Sequence, residues 1–304
     1  MHRRLTAALV LPLLISCAVL AQERQRNRTY PPKLKGAKVE TYKTIGDVKL
    51  DVNIFFPEDH KPTDRRPAIV FFFGGGWRSG SPAQFEQQCR HLAERGMVAM
   101  TADYRVSSRH GTTADACVSD GKSAVRWIRQ NAERLGVDPQ RVVAGGGSAG
   151  GHVAACTGTI AGFEESDEDI SISSKPNAMA LFNPAVVLAP IEGQYPIEAE
   201  RQQELRKRMG VDPRELSPYH HVSQDVPPTI IFHGVADTTV PYKTVQLFES
   251  AIKKAGARCE LEGYEGRAHG FFNYGREGGS YEATVKALDK FLAALGYLEQ
   301  ERDE

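Results

Sequence analysis

The chain is predicted to be an α/β protein, with a mostly parallel, eight-stranded sheet and helices on both faces. Three observations predict it. Apolar, β-branched runs alternate with helical patterns through most of the 304 residues. The run 68–73 is continuously apolar, as in a strand buried on both faces. The run 141–144 passes into a small-residue helix through Gly146-Gly147-Ser148-Ala149-Gly150. A strand that becomes a helix in so few residues needs a sharp turn, with the serine hydroxyl at its tip.

The elements follow in order. Met1-His2-Arg3-Arg4 is basic and residues 5–20 are apolar, which reads as a secretory signal, residues 1–21, cut after Ala21. Leu14-Ile15-Ser16-Cys17 resembles a lipoprotein box and offers lipidation of Cys17 as the alternative. Both place the chain outside the cytoplasm. Residues 22–38 are polar and read as a flexible lead-in to one domain spanning 39–298. Runs 39–43 and 48–56 flank Gly46-Asp47 and suggest a hairpin. Strand 68–73 ends in Gly74-Gly75-Gly76-Trp77. Residues 84–95 have helical spacing up to Gly96, and 97–101 form the next strand. A long amphipathic helix is expected over 119–135, before the strand that leads to Ser148. Further strands are expected at 178–182, 229–232 and 258–264, with helices at 242–254 and 283–295.

Two segments break the alternation. The carboxylate-rich stretch 162–174 reads as a solvated loop; it lacks calcium-loop spacing. Residues 190–228 form an insertion whose helix, 198–209, is mostly charged and reads as a small cap. Basic and acidic residues balance at 38 each, so no overall field draws in nucleic acid or an anionic membrane. Cys89, Cys117, Cys156 and Cys259 are widely spaced without a C-x-x-C, which points away from zinc; export would permit disulfides with no pairing indicated, and single buried thiols are the simpler reading.

A serine hydroxyl needs a positioned base, and that base needs an orienting acid. Asp237 follows strand 229–232 and His269 follows strand 258–264, in the order Ser, acid, His. His233 ends a strand and is expected to bond locally. His152, one turn after Ser148, is expected to point along the helix. His220 and His221 lie in the insertion and could line a pocket, whereas Asp225 precedes its strand. Backbone donors for an oxyanion are expected from Ala149 and from the glycine loop.

Gly74 to Trp77, Asp103-Tyr104-Arg105, Gly146 to His152, His233 to Asp237 and Ala268-His269-Gly270-Phe271 together resemble the α/β-hydrolase-fold esterases. The resemblance is nearest the acetyl-esterase and feruloyl-esterase-like branch related to hormone-sensitive lipase. It implies a triad of Ser148, Asp237 and His269, with Gly75, Gly76 and Ala149 as oxyanion donors and no metal or cofactor. The chain departs from the family at Phe73, where a histidine is usual. The resulting expectation is an exported serine esterase for short acyl esters, such as acetyl or feruloyl groups on plant polysaccharide. Trp77 is expected to bind substrate, and Trp77 and Phe73 are expected to narrow the acyl side. A prolyl-oligopeptidase-like peptidase shares the residue order, but no propeller-sized segment precedes the domain. A binding protein on an inactive scaffold is the non-enzymatic alternative.

Overall fold

The computed structural model describes residues 30–276 and 278–300. The expected signal segment and Cys17 lie outside them. The eight strands are β1 (Lys38–Ile45), β2 (Val48–Phe55), β3 (Arg66–Phe72), β4 (Val98–Ala102), β5 (Val137–Gly147), β6 (Ala178–Phe182), β7 (Thr229–Gly234) and β8 (Cys259–Tyr264). They form one sheet in the order β1-β2-β4-β3-β5-β6-β7-β8. The β1–β2 hairpin is antiparallel, as is the β2–β4 pair. Every other neighbouring pair is parallel.

The two-residue side-chain period of a strand divides the core into two layers. Val70 and Phe72 of β3 face one layer, with Met100, Ala144 and Leu181. Ile69 and Phe71 face the other, with Ala99, Val143 and Phe182. Helices α2 (Ala114–Gln130), α3 (Ala149–Thr159) and α5 (Tyr242–Lys254) cover the first layer. Helices α1 (Glu86–Glu94) and α6 (Tyr281–Ala294) cover the second. The charged helix α4 (Ala199–Met209) lies between β6 and β7 in chain order and buries only Leu205 and Met209. This arrangement is the α/β-hydrolase fold.

Three segments differ from the sequence expectation. Helix α2 begins at Ala114, because Ala114, Cys117 and Val118 are buried. It stops at Gln130, where the Asn131 side chain donates to the Trp127 carbonyl at 2.8 Å. Ala132 and Leu135 are buried from the following turn instead. The lead-in gives way to packed structure before its expected end, since Leu34 is buried in the second layer. All four cysteines named above are buried and unpaired.

The stretch 162–174 is a surface loop, as expected, but Glu164, Glu165 and Glu168 within it are not simply solvated. These carboxylates reach cations buried on other elements, and that long-range pairing has no local sequence signature. Glu164 meets Lys122 at 2.7 Å and also pairs with Arg126, which binds Glu168 as well. Glu165 meets Lys43 at 2.7 Å and Arg105 at 2.9 Å. Both of these cations also hold Asp120, at 2.7 and 2.8 Å.

Burial alone would raise the Glu165 pKa. Hydrogen bonds from Lys43 and Ser119, with the Lys43 and Arg105 charges, outweigh it and bring it down to about 2 from the ordinary 4.5. A lowered carboxylate pKa stabilises the fold above the unfolded value and ceases to do so as the pH falls through the folded value. Glu165→Gln should therefore lower Tm at pH 7 by roughly 2–4 °C, the shift that about 1 kcal/mol gives in a domain near this size. The gap to the parent should close between pH 4.5 and about 2. Thermal melts across that range measure it, and a gap independent of pH would contradict the ionic account.

Candidate active site

Strand β5 ends in glycine because neighbouring backbone fills the space a side chain would take. A Cβ on Gly146 would lie 2.4 Å from the Gly150 carbonyl oxygen, and one on Gly150 would lie 2.0 Å from that of Phe72. Ser148, between them, has φ 54° and ψ −116°, a strained conformation for a residue with a side chain. Its N–H donates to the Phe182 carbonyl at 2.9 Å, which ties the turn to β6.

The structure brings Ser148, His269 and Asp237 together. His269 Nε2 lies 2.9 Å from Ser148 Oγ, and His269 Nδ1 lies 2.6 Å from Asp237 Oδ2. A carboxylate only accepts, so Nδ1 carries the proton. In the neutral ring Nε2 is then the acceptor for the serine O–H. Asp237 is 5 % exposed. Burial would raise its pKa, but the bonds from His269 and from the Val240 and Thr239 N–H groups hold it below the ordinary value of 3.8. Those N–H groups donate to Oδ1 at 3.0 and 2.8 Å, leaving Oδ2 to the histidine.

The other named histidines make their hydrogen bonds to groups other than Ser148. His152 is fully buried, and burial pushes its pKa down to about 4. Its Nδ1 accepts from Trp77 Nε1 at 3.1 Å, so its Nε2–H donates to the Leu216 carbonyl at 2.7 Å. His233 donates from Nε2 to the Val240 carbonyl at 2.8 Å, and the same nitrogen lies 3.4 Å from Asp237 Oδ2, so it packs behind the carboxylate that His269 uses. His220 binds Ser217 and the Pro190 carbonyl, and His221 binds the Arg214 carbonyl. Neither His220 nor His221 is among the residues lining the cavity above Ser148.

That cavity has a volume of about 570 Å³. Gly76, Trp77, Ser148 and Ala149 form its floor, and Val187, Leu188, Ile197 and Val240 are among its apolar walls. Tyr195, Arg201, Leu205 and Arg208 of the insertion also line it. Ala149 is the first residue of α3, so its N–H has no acceptor within the helix. Gly75 does not line the cavity; its carbonyl accepts from the Arg78 and Ser79 N–H groups at 3.1 and 3.2 Å. In the floor, Trp77 stands edge-on to His152, with ring centroids 5.2 Å apart. Phe73 does not narrow the acyl side. It is fully buried and stacks on Tyr104 at 4.2 Å, which brings an aromatic anchor under the glycine loop.

Three further positioning residues are not among those the sequence named. Gln84 Oε1 accepts from the Gly74 N–H at 2.6 Å, and its Nε2 donates to Asn273 Oδ1 at 2.9 Å. Asn273 in turn donates to the Gly270 carbonyl at 2.8 Å. Asn183 Oδ1 accepts from the Gly270 N–H at 2.8 Å. The glycine loop and the histidine loop are thereby joined by side-chain amides. Asn183 alone had a readable cue, as a polar residue directly after a buried strand. Gln84 and Asn273 are close only because residues 189 positions apart meet.

A serine, an imidazole and a carboxylate set after β5, β8 and β7 of this sheet define an α/β-hydrolase. The BD-FAE family matches residues 52–252. Esterase 2 of Thermogutta terrifontis, in its native structure, superposes with a TM-score of 0.86 at 54% identity, over 90% of this chain and 98% of that one. The probable isoprenylcysteine alpha-carbonyl methylesterase ICMEL1 of Arabidopsis thaliana is 28% identical over 239 residues, 72% of this chain and 48% of that protein. Esterase LipC of Mycobacterium tuberculosis is 28% identical over 228 residues, 69% of this chain and 54% of that protein. The chain spans about half the length of these two curated relatives. It belongs to the BD-FAE family of α/β-hydrolase esterases.

Proposed function

We propose that the protein is a serine esterase that cleaves short-acyl carboxylic esters through an acyl-enzyme. The observation that carries this reading is His269, bridging Ser148 Oγ and Asp237 Oδ2 beside a closely lined cavity. Ser148 Oγ attacks the ester carbonyl as its proton passes to His269 Nε2. The imidazolium then protonates the leaving alkoxide. Water, deprotonated by the same nitrogen, hydrolyses the acyl-serine. The N–H groups of Ala149 and of the glycine loop, Gly75 and Gly76, are the proposed donors to the oxyanion.

The short-acyl preference rests on the lining. Helix α4 contributes one apolar side chain to the cavity, Leu205, between two arginines. Each methylene of a longer chain gains about 0.8 kcal/mol only where apolar surface replaces water around it. Structures of Thermogutta terrifontis esterase 2 with butyrate and with propionate bound support the same range. Acetyl esters fit within it, and feruloyl groups on plant polysaccharide are the larger aromatic acyl group in this proposal. A series of p-nitrophenyl esters from C2 to C10 should give the highest kcat/KM at C2–C4; a maximum at C8 or beyond would turn the reading toward a lipase. Export belongs to the same proposal. Among the described residues no helix is long and apolar enough to cross a membrane. The mass of protein from a cell envelope should place the mature N-terminus at Gln22, and a diacylglyceryl mass on Cys17 would replace that cut.

A further inference from the structure

We propose that the cavity above Ser148 takes esters bearing a second, free carboxylate, recognised by Arg201 and Arg208 of α4. The inference rests on the esterase reading and names its substrate class. Arg201, Leu205 and Arg208 stand at i, i+4 and i+7, one face of the helix. All three line the cavity with Ser148. No aspartate or glutamate lines it among the described residues.

Glu204 sits between the arginines and binds both. Its Oε2 accepts from Arg201 Nη1 at 2.6 Å, and its Oε1 accepts from Arg208 Nη2. One carboxylate thus faces two guanidinium groups, and the trio keeps a charge of +1. Each guanidinium carries five N–H donors, and Glu204 uses one on each arginine. The other terminal nitrogen of Arg208, Nη1, lies 3.8 Å from where a Cβ on Gly76 would stand. That edge therefore faces the glycine loop beside the serine.

Exposed ion pairs on a helix add little to stability. Stability alone also gives no reason for both arginines of such a pair to line the cavity that holds the serine. A guanidinium fork matches a carboxylate in two parallel bonds, and apolar walls strengthen the attraction by excluding water.

The test uses the full chain and two matched ester pairs. Monomethyl succinate against methyl succinamate places the carboxylate, or its neutral amide, on the acyl side. The pair 4-acetoxybenzoate and 4-acetoxybenzamide places it on the alcohol side. In at least one pair the carboxylate ester should have the higher kcat/KM by about 10-fold or more, and the pair that shows it identifies the side. The Arg201→Gln, Arg208→Gln double variant should bring that ratio to near one. Arg208→Lys should keep part of it, and Glu204→Gln should raise it by removing the competing carboxylate. A parent ratio of one or below in both pairs overturns the proposal, as does a ratio that the double variant and Glu204→Gln leave unmoved. Hydrolysis of the neutral amide esters reports separately on the esterase reading. If those and p-nitrophenyl acetate are inert, the esterase reading fails and this inference fails with it.

Discussion

Ser148→Ala should lower kcat by on the order of 10⁴-fold or more, with a much smaller change in KM. The hydroxyl it removes is the atom 2.9 Å from His269 Nε2. Without it no acyl-enzyme forms, and the remaining histidine and backbone donors can assist only direct attack by water. Alanine leaves the surrounding packing intact, since the serine side chain fills no core position and its backbone is held by the Phe182 carbonyl. A fluorophosphonate reagent separates loss of the nucleophile from loss of the fold. It should add its mass to the peptide containing Ser148 in the parent and add nothing to the variant, while the two melt within a few degrees of each other. Structures of Thermogutta terrifontis esterase 2 phosphonylated by sarin show that this relative accepts such a reagent. Full activity in Ser148→Ala would remove Ser148 from the mechanism.

Asp237→Asn should cost about 10⁴-fold in kcat while leaving the shape of the site unchanged. Asp237 Oδ2 accepts from His269 Nδ1, and that bond keeps the proton off Nε2. Asparagine can keep its oxygen on the Thr239 and Val240 N–H groups, the role Oδ1 plays now. Its NH₂ then faces Nδ1 as a donor, so Nδ1 becomes the acceptor and Nε2 takes the proton. A protonated Nε2 cannot accept from Ser148 Oγ.

The parent enzyme's pH profile tests the same account. Protonating the imidazole fills the acceptor nitrogen, so kcat/KM should fall on the acid side with a slope of one proton. Asp237 adds no second step in the weakly acid range, because His269 and the backbone N–H groups hold it below 3.8. A two-proton slope there would place a second titrating group in the free enzyme. Activity in Asp237→Asn within tenfold of the parent would show that the carboxylate does not set the tautomer.

Much of this was legible from local pattern. The strand at 178–182 and the helix at 242–254 fall where their apolar spacing places them, because a strand or helix must present its apolar face to something. Gly146 and Gly150 announced the turn that holds Ser148, since only glycine fits where backbone crowds backbone. The order Ser, Asp, His, each just past a strand end, named the three side chains that meet, because in a parallel sheet the loops following the strands share one edge.

The rest depended on partners distant in sequence. Glu165 looked like part of a solvated run, yet it lies against Lys43, 122 positions away. Phe73 looked like a wall of the acyl pocket, yet Tyr104 draws it into the core. Gln84 and Asn273 have no local pattern that says they join the glycine loop to the histidine loop. Composition showed that α4 is rich in arginine, but only its seat over Ser148 decided that Arg201 and Arg208 face the cavity. By itself, then, the sequence determined the backbone: which segments are strands, where the chain must turn, and which loops share an edge. The tertiary structure decided what each polar side chain meets, because a hydrogen bond or ion pair is set by distance in space, and two residues' separation along the chain does not encode it.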